Sequence, residues 1–269
     1  MTAAAAASER HADGTISVEA RGPILEMAFD RPEKYNGLTP KMVSELTDAF
    51  TRLDADPALR VGILFGHGKH FTAGLDLPKW VDGMKEGGRE RPESRVDPFG
   101  LSRKCTKPVI CAVHGITYTA GIEIMLACDI AIAADDCRFS QLEPKRGIMA
   151  TGGATFRFVE RGGYGNAMYH LLVLDEFDAA EARRCGFVQE VVPAGTQLER
   201  ARELAAKIAS MAPLAIQATK ASAQLYLAKG PEACIAEFSA TQRRLANTED
   251  AAEGVRSFVE RREPKFQGR

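Results

Sequence analysis

Three short apolar runs, at 61–65, 109–113 and 130–134, constrain this chain more than any other feature. Each is of strand length and reads as a buried strand. The run at 109 follows Pro108, which suits the first residue of a strand. The segments between the runs carry helix signals, and strands joined by helical crossovers pair in parallel within an α/β architecture. Upstream, residues 16–19 and 24–30 form a hairpin about the turn Arg21-Gly22-Pro23. Thr39 then caps a helix that opens on Pro40 and presents Val43, Leu46, Phe50 and Leu53 on one face. After residue 192 the pattern turns helical. Residues 198–211 are alanine-rich and periodic, Pro213 opens a second helix that ends near Gly230, Pro231 opens a third, and Thr248 caps a fourth. The expected organisation is an N-terminal tail at 1–13, an α/β core at 14–195, and a C-terminal helical region at 196–269 that packs on the core or on a neighbouring subunit. Residues 81–100 set Gly83, Gly87, Gly88, Pro92 and Pro98 among charges, which reads as a mobile loop or irregular helix over a site.

Composition removes several functional classes. The 269 residues hold 35 Lys and Arg against 36 Asp and Glu, a net charge of -1, so nucleic acid is a poor partner. There is no uninterrupted apolar stretch of about 20 residues, which excludes an ordinary membrane span. The short alanine run at 3–7 lacks a basic flank and a long apolar stretch, so it reads as a frayed tail and not a signal peptide. None of the six cysteines forms a C-x-x-C pair, which reads as reduced thiols in a cytoplasmic protein. Common dinucleotide, P-loop, zinc-protease and serine-hydrolase motifs are missing. His67 and His70 lie three apart on a glycine-rich loop without a flanking ligand at metal spacing, so they read as solvated loop residues and no metal is expected.

Two segments carry candidate chemistry. One is residues 70–77, following the strand and loop at 61–68. The other runs from Lys107 through Gly121 and Glu123 to Ile130. Both place small residues where a strand leaves the sheet, which lets backbone N–H groups approach a ligand. Paired N–H groups are what a developing enolate or thioester oxyanion requires. Residues 120–127 begin a buried helix whose free N–H groups and dipole face the same anion. Glu123 stands one turn into that helix among apolar neighbours, where an ionised carboxylate is costly unless paired. Glu143 precedes a turn of small residues at 147–154 and another helix start. Two carboxylates across one pocket can divide acid and base work. Taken singly, each glutamate reads as a helix-dipole partner.

At these residues the sequence resembles the enoyl-CoA hydratase/isomerase family, the crotonases, over nearly its whole length. The resemblance is carried by 31–39 (RPEKYNGLT), 71–77 (FTAGLDL), 107–130 from Lys107 to Ile130, and 258–266 (FVERREPKF). It implies a spiral of ββα units with a C-terminal helical region, assembled as a trimer or dimer of trimers. It implies an acyl-CoA thioester substrate and no cofactor beyond the coenzyme A of that substrate. Carried over by position, the N–H groups of Leu75 and Ala120 form the oxyanion hole. Glu123 positions and activates water for attack at the β carbon, and Glu143 exchanges the proton at the α carbon. The resemblance also assigns substrate contacts to His70, Ala73, Gly74, Asp76, Leu77 and Gly121. Arg261 falls near a C-terminal lysine that reaches a neighbouring subunit's coenzyme A, and 81–100 falls where the acyl pocket is lined. The chain departs from the family pattern at Thr119-Ala120-Gly121, where a glycine triplet is usual, at 148–157, and at His114, where asparagine is usual. The reading is an enoyl-CoA hydratase. The alternatives are a double-bond isomerase or another crotonase reaction, in which one glutamate suffices, and a non-catalytic acyl-CoA-binding protein.

Overall fold

A computed structural model describes residues 12–87 and 92–269. The expected tail lies outside them up to residue 11, as do residues 88–91 of the 81–100 segment. Ala12 and Asp13, the end of that tail, are tied down: their carbonyls accept from Arg31 Nε at 3.2 Å and Thr39 Oγ1 at 2.8 Å.

The hairpin forms as expected from β1 (Thr15–Arg21) and β2 (Ile24–Asp30), paired antiparallel with Arg21 opposite Ile24. α1 (Pro40–Ala55) follows. Thr39 accepts from Met42 N, a cap that contributes about 1 kcal/mol. Val43, Leu46, Phe50 and Leu53 are buried on its inner face, each at roughly 1.5–3 kcal/mol of transfer free energy. β3 (Val61–Gly66) pairs in parallel with β2. After the short α2 (Val81–Lys85) come β4 (Val109–Val113), β5 (Ile116–Tyr118) and α3 (Ala120–Ala127). Then follow β6 (Ile130–Ala134), β7 (Arg138–Ser140) and α4 (Ala154–Val173). β8 (Phe177–Asp178), α5 (Ala179–Arg184) and β9 (Glu190–Val192) close the core.

The main sheet runs β1-β2-β3-β4-β6-β9, parallel beyond the first pair, and a small sheet runs β5-β7-β8. A ββα unit therefore recurs, as β1-β2-α1, β4-β5-α3 and β6-β7-α4. In the second and third units one strand joins the main sheet and the next joins the small one.

α6 (Gln197–Ala209) covers the other face of the main sheet. Ala201, Ala205 and Ala209 pack on Val61, Ile63, Ile110, Ala112 and Ile132. Arg202 clamps the buried Glu26 of β2 with bonds of 2.7 and 2.9 Å. Although it lies past residue 195, α6 is thus part of the core layers. α7 (Pro213–Lys229), α8 (Pro231–Ala246) and α9 (Glu249–Glu260) follow, with their bounds close to those expected. They expose Leu227, Ile235, Phe238, Val255, Phe258 and Val259.

Within the segment read as a mobile loop or irregular helix, residues 81–85 form α2 and the stretch 92–103 is tied to α1. Val96 N donates to Thr51 Oγ1 at 3.0 Å, Arg95 reaches Ser44 O and Asp48 on α1, and Asp97 accepts from Phe99 N and Leu101 N. The stretch is stapled to α1 by polar contacts that its Gly and Pro content does not disclose.

Candidate active site

Between the end of β3 and the start of α3 lies a cavity with two lobes that share Leu75, Met84, Ala120, Glu123 and Thr151. The inner lobe, about 140 Å³, runs past Val43, Trp80, Val96 and Phe99. The outer lobe, about 250 Å³, passes Ala73, Leu77, Leu142, Glu143 and Met149. The two glutamates and the two proposed oxyanion donors therefore meet at one cavity.

Chain geometry aims the backbone donors. Leu38 N bonds Gly74 O at 2.8 Å and Asp76 N bonds Leu38 O at 2.9 Å, a short parallel bridge that leaves Leu75 N out of the ladder. Gly74 has φ +96, and a Cβ there would lie 1.7 Å from Thr119 Oγ1, so only glycine fits. Ala120 is the first residue of α3, where an N–H has no partner inside the helix. Among the described residues neither N–H donates to another protein group. Thr119, just before it, holds φ +48 and ψ −118, a conformation that glycine adopts at little cost and threonine does not.

Glu123 is 4% exposed. Its Oε1 accepts from Gly152 N at 2.7 Å and Ala154 N at 3.2 Å, the latter the first residue of α4. Burial raises its pKa, while these N–H groups and the Arg157 guanidinium pull the other way. Arg157 itself is buried and donates to Gly152 O at 3.1 Å and Phe99 O at 2.7 Å, joining the Glu123 wall to the inner lobe. Glu143, 9% exposed, opens a single 3-10 turn. Its Oε2 is buried and meets no hydrogen-bond partner among the described residues. Burial pushes its pKa up to about 7, with the Glu123 charge adding to the rise.

Other candidate residues divide. Ala73 and Leu77 line the outer lobe. Gly121 packs α3 against Thr72, whose Cγ2 would lie 2.5 Å from an added Cβ. Asp76 does not line the cavity; its carboxylate takes Arg31 Nη1 at 2.7 Å. His70 also stands outside both lobes. Its Nδ1 accepts from Ile116 N at 3.1 Å and its ring stacks on Tyr35, while burial lowers its pKa. His67 bonds Ser17 Oγ at 2.9 Å. Both histidines are thus structural ties and not solvated loop residues. Arg261 is exposed at the end of α9, away from the cavity lining.

Nothing in the residue pattern signals the donors on Glu123, nor Arg157 as the clamp behind it; these contacts span 29–34 residues. One trio outside the cavity has metal-ligand character: His170, Glu181 and Cys185 place their ligand atoms within 4.8 Å of one another, the only such group among the described residues. Arg184 occupies both Glu181 oxygens at 2.6 Å.

An α/β chain of recurring ββα units, with two buried glutamates and free N–H groups at one cavity, has the features of an acid–base enzyme that stabilises an oxyanion. The family model for enoyl-CoA hydratase/isomerase matches residues 19–269, and the chain belongs to that family. It is 36% identical to the enoyl-CoA hydratase EchA19 of Mycobacterium tuberculosis, over 94% of this chain and 96% of the relative. It is 30% identical to the 2,3-dehydroadipyl-CoA hydratase of Escherichia coli, over 91% and 96%. A crystal structure of a probable enoyl-CoA hydratase/isomerase from Mycobacterium abscessus superposes with a TM-score of 0.92 at 41% identity, over 94% of this chain and 98% of that one. The crotonase fold expected from the sequence is the fold observed. No helix among the described residues is long and apolar enough to cross a membrane.

Proposed function

We propose that this enzyme adds water to the double bond of a trans-2-enoyl-CoA thioester. The observation that carries the reading is the pair of buried glutamates on one cavity, one supplied with backbone donors and the other without a partner for Oε2 among the described residues. In this mechanism the thioester oxygen sits between the N–H groups of Leu75 and Ala120, which stabilise the enolate as charge moves onto oxygen. Glu123 takes the proton that water loses as its oxygen bonds the β carbon. Glu143, protonated below about pH 7, delivers a proton to the α carbon as the enolate collapses. A proton then returns from Glu123 to Glu143 through solvent, and the sum is addition of one water. The reaction is redox-neutral, so coenzyme A within the substrate is the only nucleotide group it requires.

Hydration is followed as loss of the conjugated thioester absorbance across short to long enoyl-CoA chains. Glu123→Gln and Glu143→Gln are each expected to lower kcat at least about 100-fold while the dissociation constant for a saturated acyl-CoA changes little. Either variant at near-wild-type rate would overturn the role given to that residue.

We further propose a trimer or dimer of trimers. The apolar side chains exposed on α7, α8 and α9 support assembly. Light scattering should give a mass well above 29.2 kDa; a clean monomer would contradict it. Six buried, unpaired thiols fit a reducing compartment such as the cytoplasm.

A further inference from the structure

The inner lobe has an unusual lining for a pocket that takes an acyl chain. Val43, Trp80, Val96 and Phe99 give it apolar walls. Thr47, Arg95, Asp97 and Ser102 also line it, and none of these four lines the outer lobe that holds Glu143. Arg95, 32% exposed, is anchored to α1: its Nη2 donates to Ser44 O at 3.1 Å and to the Asp48 carboxylate. Its Nε and Nη1 have no protein partner among the described residues, so a guanidinium keeps three of its five donors. Ser102 Oγ is buried and also lacks a partner. Asp97 turns both oxygens to the backbone, to Phe99 N and Leu101 N, at 3.0 and 3.1 Å.

A plain alkyl chain filling this lobe would displace water from these donors without replacing its hydrogen bonds, which is unfavourable. An acyl chain that ends in an acceptor oxygen would satisfy them. We propose that Arg95, with Ser102 beside it, selects acyl groups carrying a carboxylate or hydroxyl oxygen at the end distant from the thioester. Arg95 is then a specificity-determining residue, set by its bonds to α1 at the required place. The proposal rests on the acyl-CoA reading of the cavity given above.

The test compares ligands of equal chain length that end in a methyl, a hydroxyl or a carboxylate. Saturated acyl-CoA thioesters are titrated calorimetrically into the full-length protein, and the matching trans-2-enoyl-CoA series is assayed for hydration. At least one oxygen-ended ligand is expected to bind about tenfold or more tightly than the methyl-ended one, the scale of one hydrogen bond to a charged group, with kcat/KM in the same order. The hydroxyl and carboxylate arms tell a neutral acceptor from an anion. Arg95→Leu should bring the binding ratio towards one, and Ser102→Ala should lower it partway. Should Arg95→Leu fail to fold, Ser102→Ala and the wild-type ratio still decide. Equal or tighter binding of the methyl-ended ligand to wild type overturns the proposal. Discrimination by terminal oxygen without turnover on any chain supports it and overturns the hydratase reading instead.

Discussion

Glu123 and Glu143 face the same cavity from two differently built walls. Glu123 projects from α3, with two backbone N–H groups on Oε1 and Arg157 behind it. Glu143 projects from a single 3-10 turn, and its Oε2 is buried without a partner among the described residues. Burial raises both proton affinities; against that rise Glu123 has the backbone N–H groups of Gly152 and Ala154 and the Arg157 guanidinium, whereas Glu143 has only its own backbone N–H and faces the Glu123 charge. The contrast teaches that the supply of donors, and not burial alone, differs between two carboxylates of one cavity, which is the difference the proposed base and acid roles require.

The sharpest way to break the contrast is to disturb the Glu123 wall without touching the carboxylate. A Cβ on Gly152 would lie 2.3 Å from Glu123 Oε2 and 2.7 Å from Phe99 Cδ1. Gly152→Ala should therefore displace Glu123, and misplacement of a reacting group by about 1 Å costs roughly 100-fold. Steady-state kinetics should show that loss mainly in kcat, with the thermal melt checked for folding. A folded variant with wild-type kcat would mean that this backbone does not position the base.

The Glu143 wall makes a prediction in pH. A folded-state pKa of about 7 against the ordinary carboxyl value of 4.5 means that the native protein holds this proton more tightly than the unfolded chain does. The associated stability is fully present below 4.5 and is lost as pH rises through about 7. The loss is roughly 3 kcal/mol. Urea unfolding at pH 4.5 and pH 8 should show Glu143→Gln gaining on wild type by about that amount, because the amide does not titrate. In catalysis, wild-type hydration should fall above pH 7 as the acid ionises. Parallel stability curves for the two proteins would show that Glu143 is solvated and not poised.

Much of the frame behind these walls was readable in the chain. Thr39 and Pro40 open α1, Thr248 caps α9, and Ala120 opens α3, because caps and apolar runs are local signals. The small sheet was not, since β5 and β7 have three residues each and β8 two, too few to show a period. Both glutamates were found through the resemblance and their apolar settings. The N–H groups of Gly152 and Ala154 and the clamp by Arg157 were not, since they depend on where the chain returns after β7 and Glu143. Docking of 92–103 on α1 was hidden for the same reason: Arg95 and Asp97 look like loop charges until Ser44, Thr51 and Asp48 are beside them.

The smallest expected effect concerns strain, which also differs between the walls. The turn after Glu143 closes at Gly147, φ +71, where glycine is relaxed. The corresponding bend before α3 falls on Thr119 at φ +48 and ψ −118. A β-branched residue held there costs on the order of 1–3 kcal/mol. Thr119→Gly removes the strain but adds about 1 kcal/mol of unfolded-chain entropy. The net is a gain of up to about 2 kcal/mol, which for a chain of this size is a rise in Tm of a few degrees. The backbone already follows a path that glycine accepts, so Ala120 N–H should keep its direction and kcat should change less than about threefold. A thermal melt beside the hydration assay reads both. A lower Tm would show that contact between the Thr119 side chain and Gly74 outweighs the strain. A large fall in kcat would show that this side chain, and not the bend alone, aims the Ala120 donor.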